Sequence, residues 1–277
     1  MQEIQKFSDP ITKLIESVSK AIGVLYEPNR IVRNARAESK AELIRSMTKQ
    51  IENEYLRDIT IRNLHKEIIR QSNIESIIEN SIHCLPDNLH SNSSVDNDWL
   101  MDFFDLSQNC SNKNLQFVWG KLLANEIDKP GTISRRTLNV VKLLSSTEAK
   151  LFNKFCSCVW TIENFENYKI YAMILDSNEK GEYTETGWGF SGLDGHRLEE
   201  LNLIFDDEFQ ISKSEYVKLI YHGVTYKIKA IKKDTWLSTL VLTETGAELF
   251  NILDIKQNMA YYNHITKYLK KKVKFKK

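Results

Sequence analysis

The chain has 277 residues, of which 42% are hydrophobic and 27% are charged, a composition typical of a folded globular protein. The formal net charge of +1 excludes the strongly basic overall balance of many nucleic-acid-binding proteins. No apolar run approaches the ~18–20 residues that a helix needs to cross a bilayer, and the start of the chain lacks the features of a signal peptide. We therefore expect a cytoplasmic protein of two domains, or of one domain with a long helical extension.

The N-terminal part predicts long amphipathic helices. Asp9 and Pro10 are typical of a helix start, and the apolar residues of 11–25 follow helical spacing. Between Pro28 and Pro86 there is neither glycine nor proline, which favours a long helix in a hairpin or a coiled coil. Four apolar residues of this region step by three and four and form a candidate self-association face: Ile44, Met47, Ile51 and Tyr55.

Two surfaces of these helices have alternative interpretations. Arg30, Arg33 and Arg36 make the beginning of the long helix basic, which suits either a DNA-contacting arm or a solvated helix face. The apolar face of residues 11–25 could lie on a membrane surface, but its polar face is not strongly basic. Packing on protein is therefore favoured for that face.

The middle of the chain predicts a linker followed by short helices. Residues 87–97 are rich in Asn, Ser and Asp, as linkers are, and aromatic residues recur at helical spacing after residue 98. Arg135 and Arg136 open a helix that follows the Lys129-Pro130-Gly131 turn. These arginines are candidates for contacts with phosphate or carboxylate groups, and exposed arginines beside a turn are the alternative.

From residue 161 the pattern is that of an α+β module. The β-rich runs 217–221 and 224–230 flank His222-Gly223, which is typical of a hairpin, and residues 238–242 predict a third strand. Residues 196–205 predict a short helix, and a further helix follows Thr243. This order is similar to a winged-helix module. Acidic residues occupy the expected recognition segment, where they would repel phosphates, so protein contact is favoured there.

The chain ends in a lysine-rich segment. The final predicted helix covers residues 259–272 and runs into candidate partner contacts: Lys270, Lys271, Lys272 and Lys274. Lysines at a helix C-terminus interact favourably with the helix dipole. A polybasic tail can also contact nucleic acid or anionic lipid, so both interpretations stay open.

No residue pattern predicts a catalytic centre, a cofactor or a metal site. The six histidines are scattered, and no nucleophile or phosphate-binding-lysine motif is present. Asp98, Asp102 and Asp105 share a helix face without a nearby histidine. The glycines at 187, 189 and 192 match a phosphate-loop pattern, but we expect no helix to begin there. His196 beside Asp194 is the best remaining catalytic candidate, and a turn is the more common role of such a pair.

Three segments carry a resemblance to a known family. The stretches DWLMDFFD, LQFVWGKLLANEI and SRRTLNVVKLLSS, the opening PITKLIESVSKAIGVLYEPNR and the late LTETGAELFNIL resemble a bacterial family of unknown function, domain family 2806. The pattern W-x-x-L-L-A-x-E is also similar to Abi-alpha abortive-infection proteins. That resemblance implies phage defence by association only, and it brings no catalytic residue.

The sequence thus predicts a mainly α protein with an α+β C-terminal part. We expect long N-terminal helices over 1–86, the linker 87–97, a central helical bundle over 98–160 and a winged-helix-like module with a basic tail over 161–277. The expected function is that of a non-enzymatic interaction or regulatory protein of an anti-phage defence or mobile-element locus, a homo-oligomer with a protein partner. The alternatives are a nucleic-acid-binding protein that uses the basic helix start and the lysine tail, and a membrane-acting abortive-infection effector.

Overall fold

The computed structural model describes residues 9–23, 42, 44–91, 93–163, 169–176 and 188–276. The chain divides into two compact units, Met1–Lys142 and Leu143–Lys277. This division does not coincide with the predicted boundaries at residues 86, 97 and 160, because the predicted linker lies inside the first unit.

The described part of the first unit is helical. Its helices are α1 (Asp9–Ile22), α2 (Glu54–Cys84), α3 (Asn97–Ser107), α4 (Lys113–Asp128) and α5 (Arg135–Leu143). Short polar side chains start three of them, since the side chains of Asn53, Asp96 and Asn112 accept hydrogen bonds from backbone N–H groups of the first turn. Helix α2 packs along α4.

The predicted continuous helix through residues 44–55 is wrong. Residues 44–48 are helical, residues 49–50 form a turn, and α2 begins only at Glu54. The side chain of Asn53 accepts a hydrogen bond from the backbone N–H of Leu56 (3.1 Å), so this residue starts a new helix where the apolar spacing alone predicted continuation. From Glu54, α2 then runs without a break to Cys84.

An aromatic cluster forms the core of the first unit. Phe103 is fully buried, stacks on Trp99 with 5.2 Å between ring centroids and meets Trp119 edge-on at 5.3 Å. The indole N–H of Trp99 donates to the backbone oxygen of Ile133 (2.8 Å). The buried Glu126 carboxylate accepts hydrogen bonds from the backbone N–H groups of Gly131 in the Lys-Pro-Gly turn (2.6 Å) and of Ile133 just after it (3.1 Å). The turn between α4 and α5 is therefore tied to the core.

Polar contacts hold the predicted linker against α1 and α4. The backbone N–H of His90 donates to Asp128 (2.7 Å), and the ring Nδ1 of His90 lies 2.8 Å from the same carboxylate. Lys13 on α1 donates to the backbone oxygens of Ser91 (3.0 Å) and Ile127 (2.7 Å). This segment is thus an ordered part of the unit rather than a free connection.

The second unit contains helices and one antiparallel sheet. Its helices are α6 (Ser146–Cys156), α7 (Gly192–Glu200), α8 (Glu244–Ile252) and α9 (Met259–Lys272). Its strands are β1 (Trp160–Glu163), β2 (Lys169–Ile174), β3 (Ile204–Ile211), β4 (Val217–Tyr221), β5 (Val224–Ala230), β6 (Thr235–Leu242) and β7 (Val273–Lys276). The strand order is β3-β6-β2-β1-β4-β5-β7. The coarse prediction of a mainly α protein with an α+β C-terminal part is confirmed.

The local predictions in this unit hold better than the overall arrangement. The β4–β5 hairpin is confirmed, with positive φ at His222 (45°) and Gly223 (81°), as a tight hairpin turn requires. The Thr243 cap and the helix 259–272 are also confirmed. The winged-helix-like arrangement is not confirmed, because the hairpin belongs to a seven-stranded sheet.

Two predicted helix ends in the second unit are wrong. The helix predicted at 196–205 ends at Glu200, where Asn202 adopts a positive φ of 54°, and Ile204 begins β3. The acidic residues that follow therefore lie on an edge strand and not in a recognition helix. The central helical bundle, predicted to extend to residue 160, ends earlier: α6 stops at Cys156, and Trp160 begins β1.

Helix α9 packs on the inner face of the sheet through aromatic rings. Tyr221 lies 4.7 Å from Trp160 and stacks on Tyr262 at 5.3 Å. The hydroxyl of Tyr261 donates to the backbone oxygen of Ile174 (3.0 Å) and accepts from its N–H (2.8 Å). Burial raises the pKa of Tyr261 well above its ordinary value, so this phenol stays neutral. The helix that precedes the last strand is thus held in one place.

Gly120 generates a prediction about the first unit. A Cβ at this position of α4 would lie 2.6 Å from the Cβ of Asn80 on α2, so Gly120→Ala must separate the two helices. We expect a net loss of about 1–2 kcal/mol, since overpacking costs more than the gain in helix propensity. Urea denaturation followed by circular dichroism measures the change.

Gly195→Ala on α7 is the matched control. There the new Cβ would meet Leu240 at 3.7 Å, an ordinary contact, so the variant should be neutral or slightly stabilised. An unchanged midpoint for Gly120→Ala would contradict the close approach of α2 and α4.

Candidate functional site

Five lysines lie on one face of the last three strands of the sheet. Side chains of a strand alternate between the two faces, and most inward residues of β4, β5 and β7 are buried or half-buried, whereas the lysines between them are exposed or half-buried. We call these residues the lysine face: Lys218 on β4, Lys227 and Lys229 on β5, and Lys274 and Lys276 on β7.

The strand register places these lysines directly opposite one another. Lys227 faces Lys218 on one side and Lys276 on the other, and Lys229 faces Lys274. Like charges at directly opposed positions destabilise a sheet. The arrangement therefore does not serve the stability of the fold, and it concentrates positive charge at one edge in a chain whose net charge is only +1.

Acidic neighbours neutralise only the inner end of this row. Lys218 pairs with Glu163 on β1 at 3.3 Å, consistent with their opposed positions. No carboxylate of the described residues forms an ion pair with Lys227, Lys274 or Lys276.

An exposed tyrosine lies within the lysine face. The Nζ atom of Lys229 lies 4.8 Å from the centroid of the Tyr216 ring, a cation–π contact, and 40% of Tyr216 is exposed. Tyr216 immediately precedes β4 and presents an aromatic surface beside the positive charges.

The opposite face of these strands anchors the lysines. The Phe275 ring meets Tyr226 edge-on at 5.7 Å, and Val273 is buried. The hydroxyls of Tyr226 and Tyr262 are 2.5 Å apart, and this hydrogen bond, together with burial, raises the pKa of Tyr226 to about 12. Strand β7 is therefore fixed by its inward side chains, and its lysines face outward from a rigid base.

The predicted lysine tail is not a free tail. Residues 273–276 form an edge strand, so Lys274 belongs to the lysine face. Lys270 and Lys271 are exposed at the end of α9, whereas Lys272 donates to the hydroxyl of Tyr268 at 2.6 Å. The C-terminal lysines are thus divided between a helix end and a sheet.

Sequence reasoning missed Lys218, Lys227, Lys229 and Tyr216. The signal that could have found them is the alternation of lysine with apolar residues in VKLIY, VTYKIKA and VKFK, which predicts a charged face on each strand. Only the pairing of β7 with β5 brings these faces together.

The predicted arginine contacts lie outside the described residues or in the first unit, so none is part of the lysine face as the structure describes it. Arg30, Arg33 and Arg36 lie outside the described residues. Arg135 pairs with Asp102 on α3, and the hydrogen bond to that carboxylate raises the pKa of the guanidinium. Arg136 is exposed on α5 in the same unit.

The predicted self-association face is divided by the break before α2. Met47 and Tyr55 are 56% and 73% exposed, Ile44 and Ile51 are half-buried, and the four residues do not share one helix. Large apolar side chains are nevertheless exposed along the first half of α2, at Leu56, Ile61 and Ile69.

The remaining chemical candidates have structural roles. Asp194 bonds to Ser191 in a capping box, and His196 lies 3.1 Å from Glu199. Helix α7 does begin at Gly192, contrary to our expectation, but this capping box occupies part of its first turn. Burial raises the pKa of the Cys158 thiol to about 12.

Two further searches of the described residues found nothing. In that part of the chain, no group of three or more His, Cys, Asp or Glu side chains is arranged to hold a metal ion. No helix there combines the length and the apolar character that a bilayer crossing requires.

Comparison with known proteins identifies a family that the chain resembles over most of its length. The model of a family described as "Protein of unknown function (DUF2806)" matches residues 57–266. No curated protein and no solved structure matches the chain. The similarity to Abi-alpha proteins is not shown and stays a prediction.

The opposed lysines predict an unusual effect on stability. Lys227→Glu turns two repulsive pairs into attractive ones, so we expect a gain of about 0.2–1 kcal/mol per pair. The gain should shrink between about 0.01 M and about 1 M salt, because exposed charges are screened. Urea denaturation at both salt concentrations measures it.

Lys169→Glu carries the same charge change with the opposite expected sign. Lys169 on β2 lies opposite Glu163, so this variant creates a repulsive pair and should lose stability. If both variants changed the free energy of unfolding by the same amount in the same direction, cross-strand charge would not explain the effect.

Proposed function

Since the chain belongs to DUF2806, a family whose description names no activity, we propose from the residues themselves that the protein binds nucleic acid through the lysine face. The observation that carries the proposal is the opposed register of Lys227 with Lys276 and of Lys229 with Lys274. A polyanion bound across these strands would relieve repulsion that the fold itself does not neutralise.

The geometry of the lysine face suits a polymer better than a single anion. Neighbouring strands are about 4.8 Å apart, and alternate residues of one strand are about 6.8 Å apart, so the Cα atoms of these lysines form a two-dimensional array. Flexible lysines on an open surface favour several phosphates of one chain, bound without sequence readout.

The contact is made by a sheet face, so the proposal does not depend on a winged-helix arrangement. It also differs from the contact first expected, because β4 and β5 supply three of the five lysines. In the strand order, the acidic strand β3 and the lysine-bearing strand β7 lie at opposite ends of the sheet. We keep the cytoplasmic location and the role in defence or a mobile-element locus as predictions.

Charge reversal on β5 tests the proposal. Lys227→Glu/Lys229→Glu removes two phosphate contacts and places each new carboxylate opposite a lysine, so the fold should keep its stability. We expect affinity for a labelled oligonucleotide, measured by fluorescence anisotropy, to fall roughly tenfold or more. The slope of log K against log salt should decrease by about 1 for each lost contact.

The control variant carries the same change of net charge elsewhere. Lys150 on α6 and Lys256 before α9 are exposed and lie outside the lysine face, so Lys150→Glu/Lys256→Glu should bind almost as the wild type does. Equal losses in both double variants would contradict a specific face. Binding to anionic phospholipid vesicles without binding to oligonucleotides would replace nucleic acid with a membrane as the partner.

Self-association is a second candidate function. It is favoured by the apolar side chains exposed along the first half of α2, where Tyr55 and Leu56 are 73% and 54% exposed. We expect a mass above that of one chain in light scattering. Tyr55→Asp/Leu56→Asp should lower this mass, whereas Asp58→Asn on the same helix should leave it unchanged. A single-chain mass for the wild type at every concentration would exclude this function.

A further inference from the structure

Trp236 is the exposed tryptophan of this protein. It is 55% exposed on β6, whereas Trp99, Trp119, Trp160 and Trp188 are all buried. No aromatic partner of Trp236 occurs among the ring contacts of the described residues. Its large apolar ring is thus available to a ligand.

The register of the sheet places Trp236 on the same face as the lysines. Lys218 on β4 pairs with Glu163 on β1, which in turn lies opposite position 169 of β2. Met173 lies four positions after Lys169 on β2 and therefore on the same face. Met173 pairs with Leu240 on β6. Trp236 is four positions from Leu240, so it shares that face.

The connections of the sheet also bring Trp236 near the end of β5. Four residues, 231–234, join β5 to β6, and two of them are the exposed Lys232 and Lys233. The backbone N–H of Ala230 donates to the oxygen of Ser212 just after β3 (3.0 Å), and Gln210 on β3 lies opposite Trp236. This hydrogen bond joins the ends of β3 and β5, so the start of β6, which pairs with the end of β3, is near the strand end that carries Lys229.

Tyr216 supplies a second exposed ring next to Lys229. Two aromatic side chains thus accompany the lysines, one beside β4 and one on β6. An exposed aromatic ring between lysines offers a base a surface on which to stack, while the lysines hold the phosphates.

From this arrangement we propose that the preferred ligand is single-stranded nucleic acid, with bases stacked on Tyr216 and Trp236 and phosphates along the lysine face. This inference rests on the proposed function. Bases of a duplex are stacked on one another and cannot offer their faces to the two rings. A broad sheet face also cannot enter a major groove about 12 Å wide, so a duplex would contact the lysines only.

Tryptophan emission of the full-length protein tests the inference. The probes are a 20-nucleotide oligothymidylate and a duplex of the same length and mixed sequence. Because the other tryptophans are buried, a change on binding reports chiefly on Trp236. We expect the single strand to quench the emission and to bind at least tenfold more tightly than the duplex. Trp236→Phe should abolish the quenching but retain most of the affinity.

Loss of either ring should weaken binding of the single strand but not of the duplex. Base–aromatic stacking predicts a roughly fivefold to hundredfold loss of affinity for Trp236→Ala and for Tyr216→Ala, with little change for the duplex. Both side chains are exposed, and circular dichroism will confirm that each variant folds. Phe205→Ala, at an exposed aromatic on the acidic strand β3, is the matched control and should bind as the wild type does.

The outcomes separate the two proposals. Equal affinity for the single strand and the duplex, with unchanged emission, overturns the stacking inference and leaves nucleic-acid binding by the lysine face intact. Absence of binding to either probe at low salt overturns both. If Lys227→Glu/Lys229→Glu still bound the single strand with full affinity and with quenching, the result would contradict binding by the lysine face and would support stacking on the two rings.

Discussion

The packing of α9 on the inner face of the sheet determines the rest of the second unit. Tyr221, Trp160 and Tyr262 stack between the helix and the strands, and the Tyr261 hydroxyl is bonded to both backbone groups of Ile174. Because β7 begins at the residue after α9 ends, the position of this helix decides which strand β7 can pair with. The lysine face exists because an apolar contact on one side of the sheet brings charged residues together on the other.

Local signals in the sequence predicted much of the fold. The β4–β5 hairpin was evident because His222-Gly223 tolerates the positive φ values of a tight turn. The start of α8 was evident because Thr243 accepts a hydrogen bond from the first turn. In each of these cases the determining contact lies within four residues of the chain.

The parts that sequence did not predict are two local helix breaks and one pairing between distant strands. Helical spacing continued past Asn53 and past Asn202, but in both places local backbone geometry ended or restarted the helix. The segment VKFK was read as part of a tail because nothing near it indicates pairing with β5. The candidate site was hidden for the same reason, since Lys227 and Lys276 are far apart in the chain and become neighbours only through the strand order.

The two edges of the sheet carry opposite charge, and this has a consequence for solubility. Strand β3 carries Asp206, Asp207 and Glu208, and β7 carries Lys274 and Lys276. Unpaired strand edges are templates for aggregation, and charged residues are one way in which proteins protect them. Two copies that approach with the same edge repel each other, so symmetrical growth of the sheet across molecules is disfavoured. A polyanion that covers the lysines would remove this protection from β7 and at the same time block the edge physically, so that the bound protein would stay as dispersed as the free one.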